Sequence, residues 1–225
     1  NNETKLLFKA GGRTSPGLFN PRNGEVLTRT ELVPVSAGEY EQRILIRNPA
    51  SGEFEVHDKL TTRLSERHTV NIAGIDEATG KFYVLTDLFS DLVQARVYDP
   101  GTRQFDPEPL VAHPAFDINA LILGTQPSNF NRILGFSVSG PQIEVTWVDP
   151  SMQAIHASLK KAFPDQAIAL NGYNNDLSRV LFTTSNAQTP PAYHLLFDRK
   201  QVKDLGSQRP WIDPRQIGEQ RWITY

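Results

Sequence analysis

The sequence predicts an all-β protein built from about four four-stranded β-propeller blades, with one short helix. Three observations carry that prediction. The first is a repeat of about fifty residues. Four apolar stretches each end on an Asn or Asp and run into a turn: "RILIRNPASGEFE", "QARVYDPGTRQFD", "EVTWVDPSMQAIH" and "YHLLFDRKQVKDL". Their anchors, Asn48, Asp99, Asp149 and Asp198, lie 51, 50 and 49 residues apart. The second is that each anchor follows at least one further strand-like segment. The third is the even spread of 16 prolines and 15 glycines, which many short strands joined by turns require.

Each element has a local reason. "RILIR" (43–47), "QARVY" (94–98), "IEVTW" (143–147) and "YHLLF" (193–197) are near-continuous apolar runs, as strands packed on both faces are. Asn or Asp, followed by Pro or another turn former, ends each run, and Gly52 and Gly101 are available to the first two turns. Upstream strands are expected at 24–31, 80–87, 131–138 and 178–185. Further upstream lie innermost strands at 68–75, 117–123 and 166–173, with "KLLFKA" (5–10) taking that part in the first copy. In 151–163, Ile155, Leu159 and Phe163 recur at i, i+4 and i+8, the pattern of a short amphipathic helix. The blades divide at about 1–60, 61–110, 111–160 and 161–205, leaving 206–225 as a connector. An irregular β-sandwich with evenly spaced strands is the other architecture this pattern allows. Four blades are few for a closed ring, and the sequence ends on the strand-like "RWITY"; both features predict an incomplete part of a larger propeller.

Composition narrows the function. A net charge of −2 over 225 residues offers no basic surplus for nucleic acid. No apolar run approaches the roughly 20 residues that cross a bilayer. With no cysteine there is neither a disulfide framework nor thiolate chemistry. The opening "NNETKLLFKA" lacks the basic and long apolar regions of a secretory signal.

Catalytic patterns are missing as well. No Gly-x-Ser-x-Gly elbow occurs; "GFSVSG" (135–140) has the wrong spacing, and Ser137 falls in an expected strand. The five histidines, His57, His68, His113, His156 and His194, show no triad logic in sequence. "DKLTTRLSERH" pairs no two metal ligands on one face, and "NGYNNDLSR" has calcium-type oxygens in the wrong order. "KAGGRTSPG" does not feed a helix as a phosphate loop does. The sequence therefore predicts no catalytic residues, no metal and no cofactor.

"RPWIDPRQIGEQRWITY" (209–225) resembles the connection between the propeller and the α/β-hydrolase domain of prolyl oligopeptidase family serine peptidases. "LVAHPAFDINALIL" (110–123), "VTWVDPSMQAIHASLKKAFPDQAIAL" (145–170) and "YNNDLSRVLFTTSNAQTPPAYHLLFDRK" (173–200) resemble other segments of that family, in the same order. Asn174-Asn175-Asp176 departs from the family's Ser-x-Asp in the last blade. The likeness covers about 68–225, with 1–67 similar in blade pattern alone.

The resemblance implies a non-catalytic propeller portion that caps the active site of a serine-type oligopeptidase or aminopeptidase and restricts access to short peptides. Its partners would be the catalytic α/β-hydrolase domain of the same polypeptide and the peptides passing the propeller, with neither nucleic acid nor membrane. Interdomain contacts are expected at Arg209, Trp211 and Arg221, and the channel is expected along 68–75, 117–123 and 166–173. Trp211 could equally cover the bottom of the last blade. Bacterial relatives favour a periplasmic or secreted setting over a cytoplasmic one. A fragment with exposed blade edges is expected to self-associate. The alternative is a free-standing propeller that serves as a protein-interaction scaffold.

Overall fold

The computed structural model describes residues 4, 6, 8–9, 11–140, 143–218 and 223. The chain forms two compact units, Asn1–Val145 and Thr146–Tyr225. Strands dominate, and they form four antiparallel sheets in sequence order.

The first sheet contains β1 (Thr14–Pro16), β2 (Thr28–Ser36), β3 (Glu39–Arg47) and β4 (Phe54–Val56), with β5 (Thr62–Arg63) added beside β3. The expected strand at 24–31 lies further along the chain and runs through Pro34 to a tight turn in which Gly38 has φ 81°. Pro34 fits because β1 reaches only as far as Glu31, so among the described residues no strand on that side needs the missing N–H. Of the expected strand at 5–10, residues 5, 7 and 10 lie outside the described residues, and 6, 8 and 9 belong to no strand.

The second sheet is the meander β6 (Val70–Ile75), β7 (Phe82–Thr86), β8 (Gln94–Asp99) and β9 (Gln104–Phe105). Its strand β7 (FYVLT) is apolar at nearly every position because both faces are covered. Phe82, Val84 and Tyr98 pack with Ile44, Ile46 and Leu60 of the first sheet region. Leu85 and Ala95 point the other way and pack with Ile118, Leu121 and Val138. Period-two alternation sends neighbouring side chains into different cores.

The third sheet has three strands instead of four: β10 (Ile118–Leu123), β11 (Ile133–Ser139) and β12 (Ile143–Trp147). Where a fourth would follow, Asp149 accepts the backbone N–H groups of Ser151 and Met152, at 3.0 and 3.1 Å. Pro150 occupies the first turn, and helix α1 (Pro150–Ala162) begins. In the second unit, Ile155 and Leu159 of α1 pack on Ile168, Val180, Phe182 and Leu196 of the fourth sheet. That sheet is β13 (Ala167–Tyr173), β14 (Arg179–Ser185), β15 (Ala192–Phe197) and β16 (Gln201–Ser207). β16 is exposed along its whole length and carries a bulge at Leu205, beside Lys203 and Asp204.

Three of the four repeat anchors, Asn48, Asp99 and Asp149, share one physical role, a side-chain oxygen that accepts the N–H two residues on. Asn48 Oδ1 accepts from the Ala50 N–H (2.9 Å), and Asp99 Oδ1 accepts from the Gly101 N–H (2.8 Å). Asp76 does the same for Ala78, and Asn20 for Arg22. Each is an Asx-turn; those at Asn48, Asp76 and Asp99 end β3, β6 and β8, and that at Asn20 follows the isolated bridge at Phe19. Four residues on from Asn20, Asn48 and Asp76, a glycine takes positive φ: Gly24 at 73°, Gly52 at 76° and Gly80 at 72°. In the Asp99 turn that place belongs to Arg103, at φ 58°, and not to Gly101. The fourth anchor works differently, since Asp198 and Arg199 are both at positive φ (47° and 57°) in a tight reversal closed by Lys200 N–H to Phe197 O, 2.9 Å.

Candidate functional site

Three places carry polar chemistry. The first is the segment after β16. The Ile212 N–H bonds back to the Arg209 carbonyl (3.1 Å), and Asp213 caps the short turn Pro214–Gln216 through the Arg215 N–H (3.0 Å). Arg215 also pairs with Asp213 at 2.8 Å, and these bonds hold the Asp213 carboxyl below its ordinary range. The connector is thus ordered by its own short-range bonds. Between them the Trp211 side chain stands out, 78% exposed. Arg209 is exposed beside it, and Arg221 lies outside the described residues.

The second place involves the expected innermost strands. Asn71 and Asn119 are the second residues of β6 and β10, and both are exposed. They line a depression of about 230 Å³ with Thr69, Asp117 and Ser139. Carboxylates fix its rim: Asp117 Oδ1 accepts from the Val93 N–H at 2.7 Å, and Asp87 Oδ1 from the Thr69 N–H at 2.9 Å.

The third place was not singled out as a site by sequence reasoning. A cleft of about 590 Å³ opens between the turns at 48–49, 79–80 and 99–103 in the first unit. The spacing of 51 between Asn48 and Asp99 sets their two turns along the same cleft. Arg103, its backbone turned by the positive φ, donates to Glu55 Oε2 (2.6 Å) and to the Val56 carbonyl (3.2 Å). Glu55 Oε1 accepts from Asn48 Nδ2 at 2.7 Å, and these contacts keep its carboxyl below the ordinary range. Arg47 donates to the Gly52 carbonyl and pairs with Glu25. Below them His57 is 3% exposed, its Nδ1 2.8 Å from the hydroxyl of the fully buried Tyr98. Burial, aided by the Arg103 charge, lowers the His57 pKa; burial lifts the Tyr98 phenol to about 12.

The remaining histidines are held by local partners. His113 Nδ1 accepts from the Ala115 and Phe116 N–H groups, and His156 Nε2 faces the Ile168 carbonyl at 3.4 Å. His68 pairs with Asp87 at 3.3 Å. One arrangement has the outline of a triad that sequence did not reveal: Thr184 Oγ1 is 3.0 Å from His194 Nε2, and Asp204 is 3.8 Å from His194 Nδ1. Its second distance exceeds a hydrogen bond. His194 stacks on Phe182, and Thr184 is buried, which makes this a cross-strand packing pair and not a nucleophile facing substrate. Ser137 is buried in β11, 3.4 Å from Asn119 Nδ2. Among the described residues no group of three His, Asp or Glu side chains is placed to hold a metal, and no helix is long and apolar enough to cross a membrane. Comparisons with family models, curated proteins and solved structures give no match for this chain.

Proposed function

We propose that the four sheets are consecutive β-propeller blades, and that they form the non-catalytic propeller portion of a prolyl oligopeptidase-like serine peptidase. In this reading the propeller caps the catalytic cavity and admits only short, extended peptides. The observation that carries it is the connector at Arg209–Ile217. Its Arg-Pro-Trp-Ile-Asp-Pro sequence resembles the family's link to the hydrolase domain, and it directly follows the last sheet. Trp211 stands exposed from a self-ordered turn, a suitable anchor for a neighbouring domain because an indole combines large apolar area with low conformational freedom. Successive meanders with a fixed period, and a second sheet buried on both faces, support the blade assignment.

Asn71 and Asn119 then border the peptide path, where side-chain amides can both donate to and accept from a passing backbone. A fluorophosphonate probe, applied to the native polypeptide that carries this sequence, tests the reading. Labelling of one serine outside residues 1–225, with hydrolysis that declines steeply as peptide substrates lengthen, is the expected result. An unlabelled polypeptide overturns the peptidase reading and makes an interaction scaffold the better account.

A further inference from the structure

We propose that the cleft bordered by Asn48, Glu55, His57 and Arg103 is a binding site for an uncharged ligand that joins a carbonyl oxygen to an apolar body. This does not rest on the peptidase reading. It follows from three properties of the cleft.

The first is a hydrogen-bond donor with a fixed direction. Tyr98 is fully buried, and among the described residues the only partner of its hydroxyl is His57 Nδ1. A neutral buried phenol must donate its proton, since an unpaired O–H in the core is strongly unfavourable. Nδ1 is therefore the acceptor, and the imidazole proton sits on Nε2. His57 lines the cleft, and among the described residues Nε2 has no hydrogen-bond partner. The cleft thus presents one N–H on a ring locked from behind.

The second is that the charges on its walls already satisfy one another. Arg103 is taken by Glu55 and the Val56 carbonyl, and Arg47 by Glu25 and the Gly52 carbonyl. The Asp99 carboxylate is taken by the backbone of Gly101 and Thr102. Two cations and two anions among the lining residues cancel, and an incoming anion would meet both Glu55 and Asp99. A neutral acceptor fits this field better than a carboxylate or an ammonium group.

The third is an apolar floor. Leu27, Ile46, Ile75 and Phe82 lie beneath the polar rim, in a space of about 590 Å³. Small-molecule sites have this size and this balance: mainly apolar walls with a few fixed polar groups. An N-acylated leucine- or phenylalanine-sized residue without free charges has the required chemistry, either as a free small molecule or as one residue of a peptide.

The test uses the whole chain labelled with ¹⁵N-histidine and titrated with N-acetyl-L-leucinamide, N-acetyl-L-leucine and a blocked Ala-Leu-Ala tripeptide. The amide should shift the His57 ring signal saturably, with the carboxylate probe about tenfold weaker. Tighter binding of the tripeptide assigns a peptide source, and equal binding a small molecule. His57→Phe/Tyr98→Phe, followed on the uniformly ¹⁵N-labelled chain by the backbone amides of Gly80 and Gly101 that line the cleft, removes the donor without orphaning the phenol, and should weaken the amide about tenfold. Pro49→Trp, at the exposed rim, should block the cleft while leaving the core untouched. Carboxylate binding as tight as the amide overturns the proposal. So does amide binding that is unchanged in either variant, or the absence of saturable shifts at millimolar probe.

Discussion

The His57–Tyr98 pair yields a prediction that separates hydrogen bonding from packing. Tyr98→Phe deletes the hydroxyl and leaves Nδ1 of a nearly buried imidazole without its partner. His57→Phe deletes the imidazole and leaves the buried hydroxyl with nothing to receive its proton. Each orphaned group should lower stability by about 1–3 kcal/mol. The double variant orphans neither. The rings meet edge to face at 5.6 Å, a geometry two phenylalanines also favour, so its stability should lie within about 1 kcal/mol of the wild type. The coupling from a double-mutant cycle should then be about 2–4 kcal/mol. Native-state hydrogen exchange of β3 and β8 amides reads the first unit separately from the second. Additive single-variant losses would falsify the hydrogen-bond account. The same variant has a pH signature. His57 titrates lower in the folded chain than its ordinary 6.5, chiefly through burial, with Arg103 adding and Glu55 and Asp58 opposing. Below about pH 6.5 the unfolded chain therefore binds a proton that the folded chain refuses, and stability falls as pH drops toward the folded pKa. The double variant should lose that part of the acid sensitivity. His156, also lowered by burial, should retain its own share in the second unit.

Three further outcomes follow from local geometry. Asp149→Ala should remove both N-cap bonds to α1 and lower stability by about 1 kcal/mol, read as an earlier loss of helical circular dichroism on heating; an unchanged melt counts against the cap. Gly124→Ala would drive its Cβ into the Asn129 carbonyl. It should destabilise the β10–β11 connection by about 2 kcal/mol, whereas Gly172→Ala, with open space around its Cβ, should not. Trp211→Ala should leave the melting temperature of the chain within error, because the indole is 78% exposed, yet weaken association with a catalytic domain supplied in trans. A large drop in melting temperature would show that Trp211 packs on its own sheet.

The sequence by itself determined the all-β class, the run of successive antiparallel sheets and the place of the helix. Those features are written in short-range patterns: apolar strand runs, Asx turns at a constant period, and an Asp-Pro cap before Ile155 and Leu159. It could not show that the Asp99 turn gives its positive-φ position to Arg103, because a glycine two residues earlier looked the better candidate. It also placed the second strand too early, at 24–31, where the structure has Thr28–Ser36. Only the tertiary structure decided the cleft. His57 and Tyr98 are 41 residues apart, and Arg103 and Glu55 are 48 apart. No local pattern couples such positions. Their meeting follows from the packing of the second sheet on the first, which buries a phenol that must then find an acceptor.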